Sequence, residues 1–312
     1  MQRFVAIFSF AFFSFLLAAT ALAAPLRLAL NWKAEPQFGG FYAAQVGALF
    51  KEQKLNVQIQ EGGSGTPTIQ MLTAGQVEYA VVSADEIIMS HDRGATDVVA
   101  IYASYQTNPQ AIMARAEKNY QTLDQLLADK DATILWQAGL PYALYLKKRK
   151  TLQAKTAPYL GGIANIQNDA SVAQQCFVTS EPLTAQRAGL QVTTFLVAET
   201  GYNPYTTVLV TKASRIKSHP EEVQKMVNAV RDGWTVYLKD PLPTNNFMHT
   251  VNKSMDAETF RESAEAQKPL VQIKAEKIGV MTKARWEKLA EQLHDLKLIK
   301  TKPKAEDLYQ NF

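Results

Sequence analysis

Ser104-Tyr105-Gln106-Thr107-Asn108-Pro109-Gln110 and Thr200-Gly201-Tyr202-Asn203-Pro204-Tyr205-Thr206-Thr207 are the two points at which polar, loop-forming residues are densest. On either side of each, strand-like and helix-like segments alternate. Two such crossings rather than one imply a domain inserted into another, with both linkers running side by side as a hinge. The expected division is residues 24–107 plus 206–312 as one lobe and 108–205 as the other. A cleft between the lobes would be lined by the loops that follow the strands, where open α/β sheets bind ligands.

Ahead of the first crossing, Leu26, Leu28 and Leu30 alternate with Arg27 and Ala29 as a short strand. After the loop 31–40, Tyr42, Val46 and Leu49-Phe50 recur at helical spacing. Val57 and Ile59, Tyr79 to Val82, and Val98 to Ala103 read as further strands. Between them, Gly62-Gly63-Ser64-Gly65-Thr66-Pro67 leads into a helix expected to be capped by Ser64 or Thr66 and closed by Gly75. Ser83-Ala84-Asp85-Glu86 leads into another. Past the crossing, Thr122-Leu123-Asp124-Gln125 reads as a capping box, Thr133 to Trp136 as a strand and Pro141 as a helix start. Beyond Thr206 a strand gives way to long helices, one carrying Val223, Val227, Val230, Trp234 and Leu238 on a single stripe. This alternation predicts an α/β fold in which each lobe is a mostly parallel sheet flanked by helices.

The 312 residues are 47% hydrophobic and 20% charged, with 33 basic against 29 acidic side chains. No long run of either sign occurs, so a nucleic-acid partner is disfavoured. The single cysteine, Cys176, excludes an internal disulfide, a multi-cysteine zinc site and a cysteine-held iron–sulfur cluster. Four histidines, His91, His219, His249 and His294, lie in or beside helices away from the glycine and aromatic loops. They supply neither a metal-ligand pair nor a His–carboxylate–nucleophile set, and no cofactor is expected. Cys176 lies in an apolar run and reads as a buried small hydrophobe.

The N-terminus has one early positive charge at Arg3, an apolar run from Phe4 to Ala19, and Ala21-Leu22-Ala23 ahead of Ala24-Pro25. This is the layout of a secretory signal, with the cut expected between Ala23 and Ala24. A membrane anchor is the alternative, because the run reaches spanning length; the small-residue site favours cleavage. Without a lipidation cysteine near the cut, the mature chain is expected in the periplasm of a two-membrane bacterium, as a monomer.

The loops are rich in aromatics, glycines, amides and hydroxyls. Trp32, Phe38 and Tyr42 can present flat apolar faces, and Gly39 and Gly40 permit close backbone approach, although Phe38 and Tyr42 could equally staple the following helix to the sheet. Gly63, Ser64 and Thr66 belong to a stretch that suits either an anion cradle or a plain turn with a helix cap, and it lacks the ending of a nucleotide loop. Glu181, in Ser180-Glu181-Pro182, could cap a helix or accept hydrogen bonds from a ligand's amine or amidine-like edge.

Asn31-Trp32, Phe38-Gly39-Gly40-Phe41-Tyr42, Gly62 to Thr66, Ser83-Ala84-Asp85-Glu86, Gln106-Thr107-Asn108-Pro109 and Phe177 to Pro182 occur in an order that resembles substrate-binding proteins of ABC importers. The branch resembled is related to proteins that bind or build the pyrimidine precursor of thiamine, and the likeness runs from about Leu26 to about Leu270. It implies a two-lobed, type II-like periplasmic-binding-protein fold that closes on its ligand and docks on a membrane permease with a cytoplasmic ATPase. It also implies an aminopyrimidine ring held between aromatics, with Glu181 at its amino edge. Asn31, Trp32, Tyr42, Ser83, Asn108 and Tyr205 are further positions carried over, and Phe38, Gly39, Gly63, Ser64, Thr66 and Asp85 complete the candidate set. The same branch implies an alternative, a synthase that consumes its own histidine and a lysine-bound pyridoxal phosphate, with iron near a cysteine-rich stretch. Here that stretch is Gln174-Gln175-Cys176-Phe177-Val178, and Gln37-Phe38 stands where the histidine is expected. A third alternative, an alkylsulfonate or nitrate binder, would need more cationic or hydroxyl donors than these loops supply.

Overall fold

The computed structural model describes residues 24–149, 151–272 and 277–312; the expected signal segment, 1–23, lies outside the described residues. Among the described residues, ten strands form two five-stranded sheets. The first sheet contains β1 (Leu26–Ala29), β2 (Val57–Gln60), β3 (Tyr79–Val82), β4 (Val98–Tyr105) and β10 (Thr206–Lys212), in the order β2-β1-β3-β10-β4. The second contains β5 (Gln110–Arg115), β6 (Thr133–Trp136), β7 (Lys155–Pro158), β8 (Val172–Phe177) and β9 (Val192–Leu196), in the order β7-β6-β8-β5-β9. The chain leaves the first sheet after Tyr105 and returns to it at Thr206.

The fold is α/β with helices around each sheet, but the sheets are mixed rather than mostly parallel. β1 pairs in parallel with β2 and β3, whereas β10 runs antiparallel to β3 and β4. The second sheet repeats this: β6 is parallel to β7 and β8, and β5 is antiparallel to β8 and β9. The cause is the crossing itself. β5 and β10 are the strands that enter a sheet from the other one, without a helical crossover to turn them round, so each runs against its neighbours.

Helix Pro220–Lys239 buries Val223, Val227, Val230, Trp234 and Leu238 as its periodicity predicts, against helix Gly39–Val46 and the first sheet. Gly39 and Gly40 serve this packing. A Cβ on Gly40 would lie 2.2 Å from the Trp234 ring, and one on Gly39 would lie 2.1 Å from the Tyr237 ring. Their freedom is used for helix-on-helix contact, which sets where the preceding loop, 31–38, meets the cleft.

Both crossings are held by one side chain on helix Lys283–Asp295. Arg285 donates from Nη1 to the Gln106 carbonyl (2.6 Å), from Nε to the Asn203 carbonyl (2.7 Å) and from Nη2 to Asn203 Oδ1 (2.9 Å). Its guanidinium lies 3.7 Å from the centre of the Tyr205 ring. Asn108 ties the same strands together, donating from its backbone N–H to Asn203 Oδ1 (2.9 Å) and from Nδ2 to the Pro204 carbonyl (3.1 Å).

Candidate functional site

Two adjoining cavities lie between the sheets and share Phe177 and Thr206 in their walls. The larger, about 360 Å³, is walled on one side by the loop after β1, including Asn31, Trp32, Glu35, Gln37 and Phe38. Facing it are Phe177, Thr179, Ser180 and Glu181, the segment where β8 turns into helix Glu181–Arg187. The smaller, about 140 Å³, holds Ser83, Asp85, Asn108, Gln110, Tyr142 and Tyr202.

The loop after β1 is bent into the cleft by backbone bonds. The Leu30 N–H donates to the Gln60 carbonyl (2.8 Å) and the Gly62 N–H to the Trp32 carbonyl (2.9 Å). The Trp32 indole, 39% exposed and so open to a ring laid on it, donates to Glu35 Oε1 (3.2 Å). Gln37 Nε2 donates to Glu35 Oε2 (3.0 Å). Across the cavity, Glu181 Oε2 accepts from the Phe177 N–H (2.9 Å) and Oε1 from the Tyr159 hydroxyl (3.2 Å). Each carboxylate therefore spends one bond per oxygen on the protein and retains acceptor capacity.

Burial pushes the Glu181 carboxyl above its ordinary value, opposed by the Phe177 N–H and the Tyr159 hydroxyl. Glu35 is pushed up by burial first, then held down by Gln37 and Trp32, and raised again by the charge of Glu181. In the smaller cavity Asp85 is buried and likewise pushed up, against bonds from the Ser83 hydroxyl, the Glu86 N–H (3.0 Å) and the Tyr202 hydroxyl (3.3 Å). Among the described residues, the walls of the two cavities carry three carboxylates and no Lys, Arg or His.

The sequence-derived candidates thus divide. Asn31, Trp32, Phe38 and Glu181 meet at the larger cavity, and Ser83, Asp85 and Asn108 meet at the smaller. Gly39 and Tyr42 line neither; Tyr42 is buried with its ring tilted on Phe247. Tyr205 is buried beneath Arg285, and its hydroxyl accepts from the Thr282 N–H (3.0 Å). Gly63, Ser64 and Thr66 also stand apart. Helix Thr68–Thr73 follows Pro67 without a side-chain cap, and the Thr66 hydroxyl instead accepts from the Gly63 N–H (2.8 Å) and closes the turn. The expected Ser64 or Thr66 cap is corrected accordingly.

Glu35, Tyr202 and Thr206 were missed as site residues. Glu35 sits three positions after Trp32 in the loop already singled out, so a charge among its aromatics and amides was the available signal. Thr206 and its neighbour Thr207 begin the returning strand, and Thr207 lines the cleft at φ 52°, a left-handed conformation unusual for a β-branched residue.

The arrangement, two α/β sheets joined by two crossings around a polar cleft, is that of the periplasmic binding proteins. It is similar to the aliphatic sulphonate binding protein SsuA of Escherichia coli (TM-score 0.71, 12% identity, 92% of each chain covered). It is also similar to the nitrate-binding protein NrtA of Synechocystis PCC 6803 (TM-score 0.67, 10% identity, 92% of this chain and 86% of that one). Residues 35–243 match the family model described as NMT1/THI5 like, and the chain belongs to that family. A relative from Bacillus subtilis (strain 168) bearing the name "Putative binding protein YtlA" is 27% identical over 205 residues, 62% of this chain. The match spans 60% of that relative's length.

No helix among the described residues is long and apolar enough to cross a membrane.

Proposed function

We propose that this chain is the solute-binding receptor of an ABC importer, and that it captures a small, flat, nitrogen-bearing heteroaromatic such as a thiamine pyrimidine precursor. In this reading the lobes are residues 24–107 with 206–312 and residues 108–205. They close on the ligand about the paired crossings, and the closed form docks on a permease. The chain acts as a monomer in the periplasm after loss of its signal segment.

The observation that carries the reading is the larger cavity, with Trp32 offering a ring face, Glu181 offering an acceptor and, among the described residues, no basic side chain in its walls. A sulfonate or nitrate brings negative charge and needs donors. Here it would meet Glu35 and Glu181, so the ligands named for the structural neighbours are disfavoured. The synthase reading is also weakened. Gln174 donates to the Gly162 carbonyl (2.8 Å), and Gln175 Oε1 accepts from the Gln137 N–H and the Tyr142 hydroxyl, both at 2.6 Å. These amides brace loops and do not fit a set of iron ligands.

The test is mass spectrometry of the small molecule released on denaturing the purified protein, followed by calorimetric titration with that compound. Release of an aminopyrimidine supports the receptor. Recovery of stoichiometric iron or pyridoxal phosphate, with pyrimidine formed on turnover, would transfer the case to the synthase.

A further inference from the structure

Glu35 and Glu181 approach one cavity from opposite sides of the cleft, and among the described residues its walls supply no counter-ion to either. Glu35 belongs to the loop after β1 of the first sheet, Glu181 to the helix start after β8 of the second. Motion that narrows the cleft brings the two carboxylates together, at a cost that rises as water leaves. A neutral ring leaves that repulsion in place. A positive charge between them turns it into two attractions and uses the acceptor capacity that neither oxygen pair has spent on the protein.

The groups around the pair reinforce this. Facing Glu35 from other elements are the Tyr105 phenol of β4, itself pushed up by burial and by Glu35, and the carboxylate of Glu181. Around Glu181 stand Tyr159, Tyr142 of helix Pro141–Lys148 and the buried thiol of Cys176 on β8, each held in its neutral form chiefly by burial. The cation that acts on Glu35 is Lys33 in its own loop, exposed and donating to the Ser254 hydroxyl (3.4 Å). Water screens that charge, so it offsets little of a repulsion inside a closed cleft.

We propose that the ligand is a cation, a ring carrying a protonated amine or amidine-like group, and that Glu35 shares its charge with Glu181 and so selects it over a neutral ring of the same shape. This deepens the receptor reading given above and rests on it.

The test uses a matched pair of probes, an aminomethyl-aminopyrimidine, which is a cation at neutral pH, and its hydroxymethyl analogue, which is neutral. Both are titrated by calorimetry into wild type, Glu35→Gln and Glu35→Asp. Wild type should bind the cation at least about tenfold more tightly. Glu35→Gln should lose about tenfold for the cation and little for the neutral ring, the scale of one charge-assisted hydrogen bond. Glu35→Asp, which keeps the charge, should keep the preference and so separates charge recognition from damage to the loop. Equal binding of both probes by wild type, or an equal loss for both in Glu35→Gln, overturns the proposal and leaves the heteroaromatic receptor standing. Binding of neither probe overturns that reading and this proposal together.

Discussion

Replacing Glu181 by Gln changes one charge and no volume, and the consequences for ligand binding and for stability have opposite signs. The carboxylate accepts from the Phe177 N–H on one oxygen and from the Tyr159 hydroxyl on the other. A glutamine can satisfy both, because its carbonyl oxygen can take the Phe177 N–H while its amide donates to a Tyr159 hydroxyl rotated to accept. What it cannot do is present a charged acceptor to a ligand's donor edge. A charge-assisted hydrogen bond contributes about 1.5 to 3 kcal/mol, so affinity for an aminopyrimidine should fall roughly ten- to a hundredfold. Stability of the ligand-free protein should move the other way. A carboxyl whose folded-state pKa is raised destabilises the fold wherever both states have released the proton, and the penalty disappears as pH falls through the raised value toward the ordinary 4.5. Above the raised value the penalty is fully present, and Glu181→Gln removes it, raising the melting temperature by about 2 to 4 °C for each kcal/mol recovered. Below about pH 4, near the ordinary carboxylate range, wild type and variant should melt together. Calorimetric titration with an aminopyrimidine and with taurine, beside thermal melts across pH, checks both arms. If taurine alone binds and tightens on neutralising Glu181, the heteroaromatic reading is wrong.

Three further outcomes follow from named contacts. Trp32→Ala should weaken aminopyrimidine binding by about 1 to 3 kcal/mol, the scale of a base stacked on an aromatic side chain, as read by titration; unchanged affinity would remove the ring from the indole face. Gly40→Ala drives a methyl group into Trp234 and should cost at least about 1 to 3 kcal/mol in denaturant unfolding, whereas a silent variant would mean that the two helices separate without cost. Small-angle scattering should show a more compact particle at saturating ligand, since the crossings form the expected hinge; an unchanged profile counts against closure.

The parts of this molecule that could be read in advance are those in which one local rule acts alone. The stripe on helix Pro220–Lys239 needed only a 3.6-residue period. The sheets came out mixed because strand direction depends on which lobe a strand enters from, and nothing local to β5 or β10 encodes that. The site divided along the same line. Trp32 and Glu181 stand on loops that end in the cleft. Gly39 and Tyr42 belong to a helix whose glycine-rich start serves contact with Trp234 and Tyr237, and sequence could not distinguish a glycine that admits a ligand from one that admits a helix. Tyr205 was carried over by the family resemblance, yet Arg285 covers its ring, a contact spanning 80 positions that no local pattern reveals.

That contact bears on how closure is controlled. Arg285 holds Gln106 on the outgoing crossing and Asn203 on the returning one, so the two crossing strands are coupled, and a hinge made of them would bend as a pair. In the proposed reading, the paired crossings act as the hinge and the cleft supplies the bias. In the proposed receptor, the charge of Glu181 that raises the Glu35 carboxyl would disfavour bringing the two together in the absence of ligand, and so would bias the empty cleft toward an open form. A ligand can shift such an equilibrium only by its differential affinity for the two forms. One that answers both carboxylates gains more from the closed form than from the open one. In a receptor of this kind, carboxylates that destabilise the empty cleft make closure depend on what fills it.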